Sequence, residues 1–145
     1  MPIFLPLLLA FAIAGILLAL AGLHLYWAMG GRWGAASALP EHVSGQPVFR
    51  PSPLATGVVA LGLLAAALVV LAAGWYRVPG LPSAWVEPAT WGLAGLFGLR
   101  AVGDFRYVGF GKRVRGTRFA RLDTRFYSPL CAALAGGCAV LAAIA

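Results

Sequence analysis

The strongest constraint on this chain is a set of long apolar runs that contain no charge. Residues 3–23, 54–75 and 127–145 hold no Asp, Glu, Lys or Arg. A helix needs about 20 largely apolar residues to cross the hydrocarbon core of a bilayer. A helix that is apolar on every face belongs in a membrane or a very large core. Composition agrees, because 61% of the residues are hydrophobic and 10% are charged, against roughly 45–50% and roughly 25% in soluble domains. With 11 basic and 4 acidic residues, a chain of 145 cannot cover itself as a soluble domain must. A mean hydropathy of +0.88 points the same way. A soluble enzyme, a disordered chain and a disulfide scaffold are all excluded.

A fourth span is expected around residues 89–99, which are uncharged, although reaching full length takes it through Arg100, Asp104 and Arg106. The fold expected is all-α: one membrane domain over residues 1–145, a bundle of four transmembrane helices at about 3–29, 54–76, 88–108 and 126–145. Breakers separate the spans: Gly30 and Gly31, then Pro40, Pro47, Pro51 and Pro53, then Pro79, Gly80 and Pro82. Pro88 and Pro129 are expected in the first turns of the third and fourth helices, where a missing N–H is harmless. No Lys or Arg precedes the first run, and the run exceeds the roughly 7–15 residues of a signal-peptide core, so a membrane helix is expected there.

Orientation follows from the basic residues. Arg100, Arg106, Lys112, Arg113, Arg115, Arg118, Arg121 and Arg125 lie between spans three and four, with Arg32 and Arg50 in the first connection and Arg77 alone in the second. The excess of Lys and Arg marks the cytoplasmic side, so both termini are expected on the outer face. Trp33, Trp75, Tyr76, Trp85 and Trp91 fall near span ends, as interfacial aromatic residues do.

The basic connection over 106–125 therefore needs no nucleic acid to explain it. Lys112, Arg113, Arg115, Arg118, Arg121 and Arg125 are expected to meet anionic headgroups, each contributing about 1 kcal/mol near the surface. Gly109-Phe110-Gly111-Lys112-Arg113 is not a phosphate loop, since Arg106 stands where the first Gly is required and Arg113 where Ser or Thr is required. Arg118, Arg121 and Arg125 would line one side of a helix, with Phe119, Leu122 and Phe126 opposite. An amphipathic lead-in lying along the interface is expected.

Ionisable residues within a span are costly and mark functional candidates. Arg100 and Asp104 are four apart and can pair along one helix face. His24, Tyr26, Trp27, Tyr107 and Tyr127 are expected in the same layer. Two readings follow: a polar pocket for a small anionic or lipidic ligand, or a neutralised Arg100–Asp104 pair that locks the third helix. Acid–base chemistry by His24 and Asp104 is a third. No second His or acidic residue has metal-ligand spacing to His24, so no metal is expected. No serine or cysteine has a base suited to covalent catalysis, no catalytic residue is assigned, and these residues name no cofactor. Cys131 and Cys138, seven apart, fit neither a redox nor a zinc motif and are expected as small buried side chains. Gly57, Gly62, Gly92, Gly95, Gly98, Gly136 and Gly137 offer close helix contacts.

Three strings carry a resemblance: His24-Leu25-Tyr26-Trp27-Ala28-Met29-Gly30-Gly31-Arg32-Trp33-Gly34, Gly103-Asp104-Phe105-Arg106-Tyr107-Val108-Gly109-Phe110 and Asp123-Thr124-Arg125-Phe126-Tyr127-Ser128-Pro129-Leu130. The chain resembles an uncharacterised family of small bacterial four-helix membrane proteins, a domain of unknown function. The resemblance implies that fold and a bacterial inner membrane, with no activity attached. The function expected is that of a structural or accessory membrane protein, as a homo-oligomer or within a larger complex. The alternative is a binder or carrier of a small anionic or lipidic ligand.

Overall fold

In the computed structural model, residues 4–74 and 78–144 are described. Among them every regular element is a helix, apart from one isolated antiparallel bridge between Glu41 and Pro47. The helices are α1 (Phe4–Ala28), α2 (Ala35–Ala38), α3 (Pro53–Ala73), α4 (Ser83–Val102), α5 (Arg118–Leu122) and α6 (Ser128–Ile144). A widened π-helical turn over Asp123–Tyr127 joins α5 to α6, so Arg118–Ile144 runs as one helix of 27 residues.

Local chemistry sets the helix ends. Ser52 caps α3 by accepting from the Ala55 N–H, and Pro53 occupies the first turn. Thr117 caps α5 through the Ala120 N–H. Three of the expected boundaries need correction. The third long helix begins at Ser83, so Pro88 lies inside it rather than in its first turn. It ends at Val102 instead of near 108, because Gly103 (φ +90°) turns the chain away in a conformation that disfavours any side chain. The last helix begins at Arg118, well before 126, which puts Pro129 in its interior. The lead-in of residues 117–127 thus runs directly into α6 as part of one helix.

Three helices, α1, α3 and Arg118–Ile144, are long and apolar enough to cross a membrane. In each, at most 33% of the most apolar 18-residue stretch is buried inside the protein. The remaining apolar surface, including Leu8, Phe11, Leu61 and Leu68, points outward. Water would oppose that exposure and lipid accepts it, so the chain is a small membrane protein. The helix α4, with Glu87 near its start and Arg100 near its end, falls short of the same apolar standard.

The helices pack chiefly in two pairs, α1 along α3 and α4 along α6. Among a few large side chains (Leu17, Phe97, Leu134 and Leu141), the core sets small ones: Ala10 and Ala14 of α1, Ala66, Ala67 and Val70 of α3, Ala94 of α4 and Cys138 of α6. Such residues let backbones approach where lipid supplies no hydrophobic drive between helices. Of the glycines expected at contacts, Gly137 faces Ile13 and Gly98 faces Ala135, whereas Gly57, Gly62, Gly92, Gly95 and Gly136 face open space. Both cysteines are free thiols, Cys138 fully buried and Cys131 half-buried. Trp75, Tyr76 and Arg77 lie outside the described residues.

Just past the end of α3, Gly74 lies close against α1, and an added Cβ there would collide with the Ala10 methyl and crowd the Pro6 carbonyl. Gly74→Val is expected to destabilise by about 1–3 kcal/mol, the usual range for overpacking. Gly62→Val, directed into open space, should leave thermal unfolding in mild detergent nearly unchanged.

Candidate functional site

The polar residues converge at the end of the helices where α1 and α4 finish and α3 and α6 begin. At their centre is Asp123, which has no exposed surface. Its Oδ1 accepts from Arg100 Nη2 (2.9 Å). Its Oδ2 accepts from the Gly109 N–H (2.8 Å), Lys112 Nζ (3.0 Å) and Ser128 Oγ (3.0 Å). A buried carboxylate is tolerated only when paired and fully hydrogen-bonded, and here both conditions are met.

The widened turn explains how one short segment delivers these groups. Pro129 has no N–H to offer the carbonyl four residues back, and its ring crowds that carbonyl. The chain opens by one residue, and the Ser128 N–H bonds the Asp123 carbonyl instead. Asp123 and Ser128 then share a face, and the Ser128 hydroxyl reaches the carboxylate. Phe126, expected in the apolar stripe with Phe119 and Leu122, is rotated out to the surface, while Phe119 is buried.

The loop over residues 103–117 supplies the other partners. The Phe110 and Gly111 N–H groups cap the α4 carbonyls of Ala101 and Val102 (2.8 and 3.0 Å). The crossing is tight: a Cβ on Gly103 or Gly109 would meet the carbonyls of Val108 and Val102 respectively. Lys112 folds back under the loop and is buried. Its ammonium donates to the Gly109 carbonyl (2.9 Å), Asp123 (3.0 Å) and Thr124 Oγ1 (2.6 Å), which uses all three of its donors.

Asp104, expected to pair with Arg100, does something else. It lies off α4 on an exposed loop, where its Oδ1 accepts from the N–H groups of Arg106, Tyr107 and Val108 (2.9, 2.7 and 2.9 Å). Partial desolvation opposes its ionisation, but the Val108, Arg106 and Tyr107 amides outweigh it and hold the carboxyl below its usual value. The clasp also supports Phe105 in the left-handed region (φ +61°). Arg100 therefore pairs with Asp123, 23 residues away, and not with Asp104.

The expected polar layer divides in two. His24, Trp27, Arg100 and Tyr127 line a cavity of about 690 Å³, together with Leu20, Val59, Leu130 and Cys131. Tyr26, Asp104 and Tyr107 do not. Tyr107 Oη is 3.0 Å from His42 Nδ1 in the first connection, and Tyr26 Oη accepts weakly from the Trp33 N–H (3.4 Å). Trp27 Nε1 donates to the Trp33 carbonyl (2.8 Å) and Tyr127 Oη to the Ser37 carbonyl (3.2 Å). These bonds fasten residues 29–52 over the cavity. Lys112 also needs correction as a lipid contact, since its ammonium is buried and fully engaged. Arg113, Arg115, Arg118, Arg121 and Arg125 remain exposed. Among the described residues, no group of three His, Cys, Asp or Glu is placed to hold a metal ion.

Sequence reasoning missed Asp123 as a partner. Two signals were present: it is one of only two acidic residues in the basic stretch from Arg100 to Arg125, and a proline follows six positions later on the same helix. A protein family model described as Protein of unknown function (DUF3995) matches residues 17–138, so the chain belongs to that family. No curated protein and no solved structure matches it.

Asp123→Leu is expected to destabilise by about 3–5 kcal/mol, because it strands a buried Lys112 and a half-buried Arg100. Combining it with Lys112→Met should recover part of the loss in a detergent thermal melt. Asp104→Leu should be milder and act on the loop alone. An equal loss from Asp104→Leu, or no loss from Asp123→Leu, would remove Asp123 from the centre of this end.

Proposed function

We propose that this member of a family without an assigned activity is a four-span structural or accessory protein of a bacterial inner membrane. Its first and third connections would face the cytoplasm and both termini the outer side. The observation that carries this reading is the convergence of the basic connections. The Tyr107–His42 contact brings residues 29–52 together with the 103–117 loop, and the Tyr127–Ser37 bond ties them to the widened turn beyond it, all at one end of the helices. That end holds ten of the eleven Lys and Arg residues, and a one-sided excess is what orients a membrane protein.

In this arrangement α4 acts as a fourth span through its packing on α6. Arg100 near its end is half neutralised by Asp123, which lowers the penalty for a charge at that depth. Arg113, Arg115, Arg118, Arg121 and Arg125 then meet anionic headgroups at the cytoplasmic surface. A structural role is further supported by the employment of the carboxylates. Asp104 clasps its loop and Asp123 holds the buried network, so neither is left to exchange protons with His24. The open-space glycines of α3 and α4 suit contact with a second copy or a larger membrane complex.

Reporter insertions test the topology. A reporter active only in the cytoplasm should be silent when fused after Ala145 and active when inserted beside Arg115. The opposite pattern would overturn the orientation. Inserted at Gly80, between α3 and α4, the same reporter should be silent, and activity at both Gly80 and Arg115 would overturn α4 as a span.

A further inference from the structure

The charge network at the basic end does not balance. Two cations, Arg100 and Lys112, share the single carboxylate of Asp123. Lys112 has all three donors engaged, so the deficit falls on Arg100. Among the described residues, only one of the five guanidinium N–H groups, on Nη2, has a partner, and Nη1 is buried with none. Arg100 also lines the 690 Å³ cavity, and 35% of its side chain is exposed. Among the described residues, none that lines that space is acidic.

The rest of the cavity defines what could complete it. Leu20 and Leu23 of α1, Val59 of α3 and Leu130 of α6 form an apolar wall. His24 lies on the same wall, with Nδ1 bound to the Leu20 carbonyl (2.8 Å), which leaves Nε2 as its second polar atom. Trp27 packs edge-on against its ring at 5.1 Å. The volume lies within the roughly 300–1,000 Å³ of small-molecule sites, which combine apolar walls with a few polar groups. One half-satisfied guanidinium in a mostly apolar chamber matches an anionic head on a hydrocarbon body, because planar N–H donors suit carboxylate and phosphate oxygens.

We propose that this cavity is a binding site for a single-chain anionic amphiphile, with its carboxylate or phosphate on Arg100 beside His24 and its chain along the α1, α3 and α6 wall. The site goes beyond the structural role proposed above and does not depend on which way the protein faces.

The test is equilibrium binding of radiolabelled oleate to the full-length protein, purified in an uncharged maltoside detergent. Saturable binding of one oleate per chain is expected. Lysophosphatidate should compete, whereas oleyl alcohol (the chain without the charge) and acetate or inorganic phosphate (the charge without the chain) should compete at least tenfold less well. Arg100→Gln should weaken oleate at least tenfold. Because Arg100 also holds Asp123, a second variant spares the network: Ala55→Phe fills the cavity from the first turn of α3 and should bring the same loss. Cys131 gives a further readout, since it lines the cavity while Cys138 is fully buried. Oleate should slow maleimide labelling of Cys131, and oleyl alcohol should not. Oleyl alcohol binding as tightly as oleate would overturn the anionic head, and phosphate competing as well as oleate would overturn the apolar body. Unchanged binding in Ala55→Phe would overturn the cavity itself.

Discussion

The basic end of this protein depends on one buried carboxylate. Ionised Asp123 could not persist without water unless both oxygens were occupied by donors. Those donors come from three places in the chain: Arg100 at the end of α4, Gly109 and Lys112 in the loop, and Ser128 at the start of α6. Each is drawn to the same point, so the carboxylate fixes where α4 ends relative to α6 and how the loop between them folds. The loop meets further demands of its own. Gly103 and Gly109 cross where no side chain fits, and Asp104 gathers three amides to hold the turn between them.

The same arrangement sets the character of the cavity beside it. A lysine buried with every donor satisfied is electrostatically closed, while an arginine sharing that lysine's only anion is open. Residues 29–52 cover the space through the Trp27, Tyr127 and Tyr107 side chains, which act as fasteners between connection and helix. The polar end is thus a locked frame around one incompletely satisfied cation. The long helices below it are held by alanine and glycine seams and turn their larger apolar residues outward.

The membrane character and helical fold were legible in the sequence because they depend on local composition. An uncharged run of about 20 residues admits few structures in any context. Depth along a helix was legible only in part: of the seven residues expected in one layer, His24, Trp27, Arg100 and Tyr127 line one cavity, while Tyr26, Asp104 and Tyr107 do not. The Arg100–Asp104 pairing failed because the four-residue rule holds only while the helix continues, and α4 ends at Val102, two residues before Asp104. The lipid-facing role of Lys112 failed because burial of one side chain among exposed neighbours leaves no mark on composition.

The sequence by itself determined that this chain lives in a membrane, which segments are apolar enough to enter it, and at which end its charge collects. These properties are sums over neighbouring residues, and solvent transfer energies decide them. The tertiary structure alone decided which cation Asp123 neutralises, which lysine is withdrawn from the surface and which arginine is left half satisfied. Those outcomes turn on a proline-widened turn at Asp123–Tyr127 and a glycine crossing at Gly103 and Gly109. Residues 23 positions apart meet there at hydrogen-bond distance, and no local rule encodes that meeting.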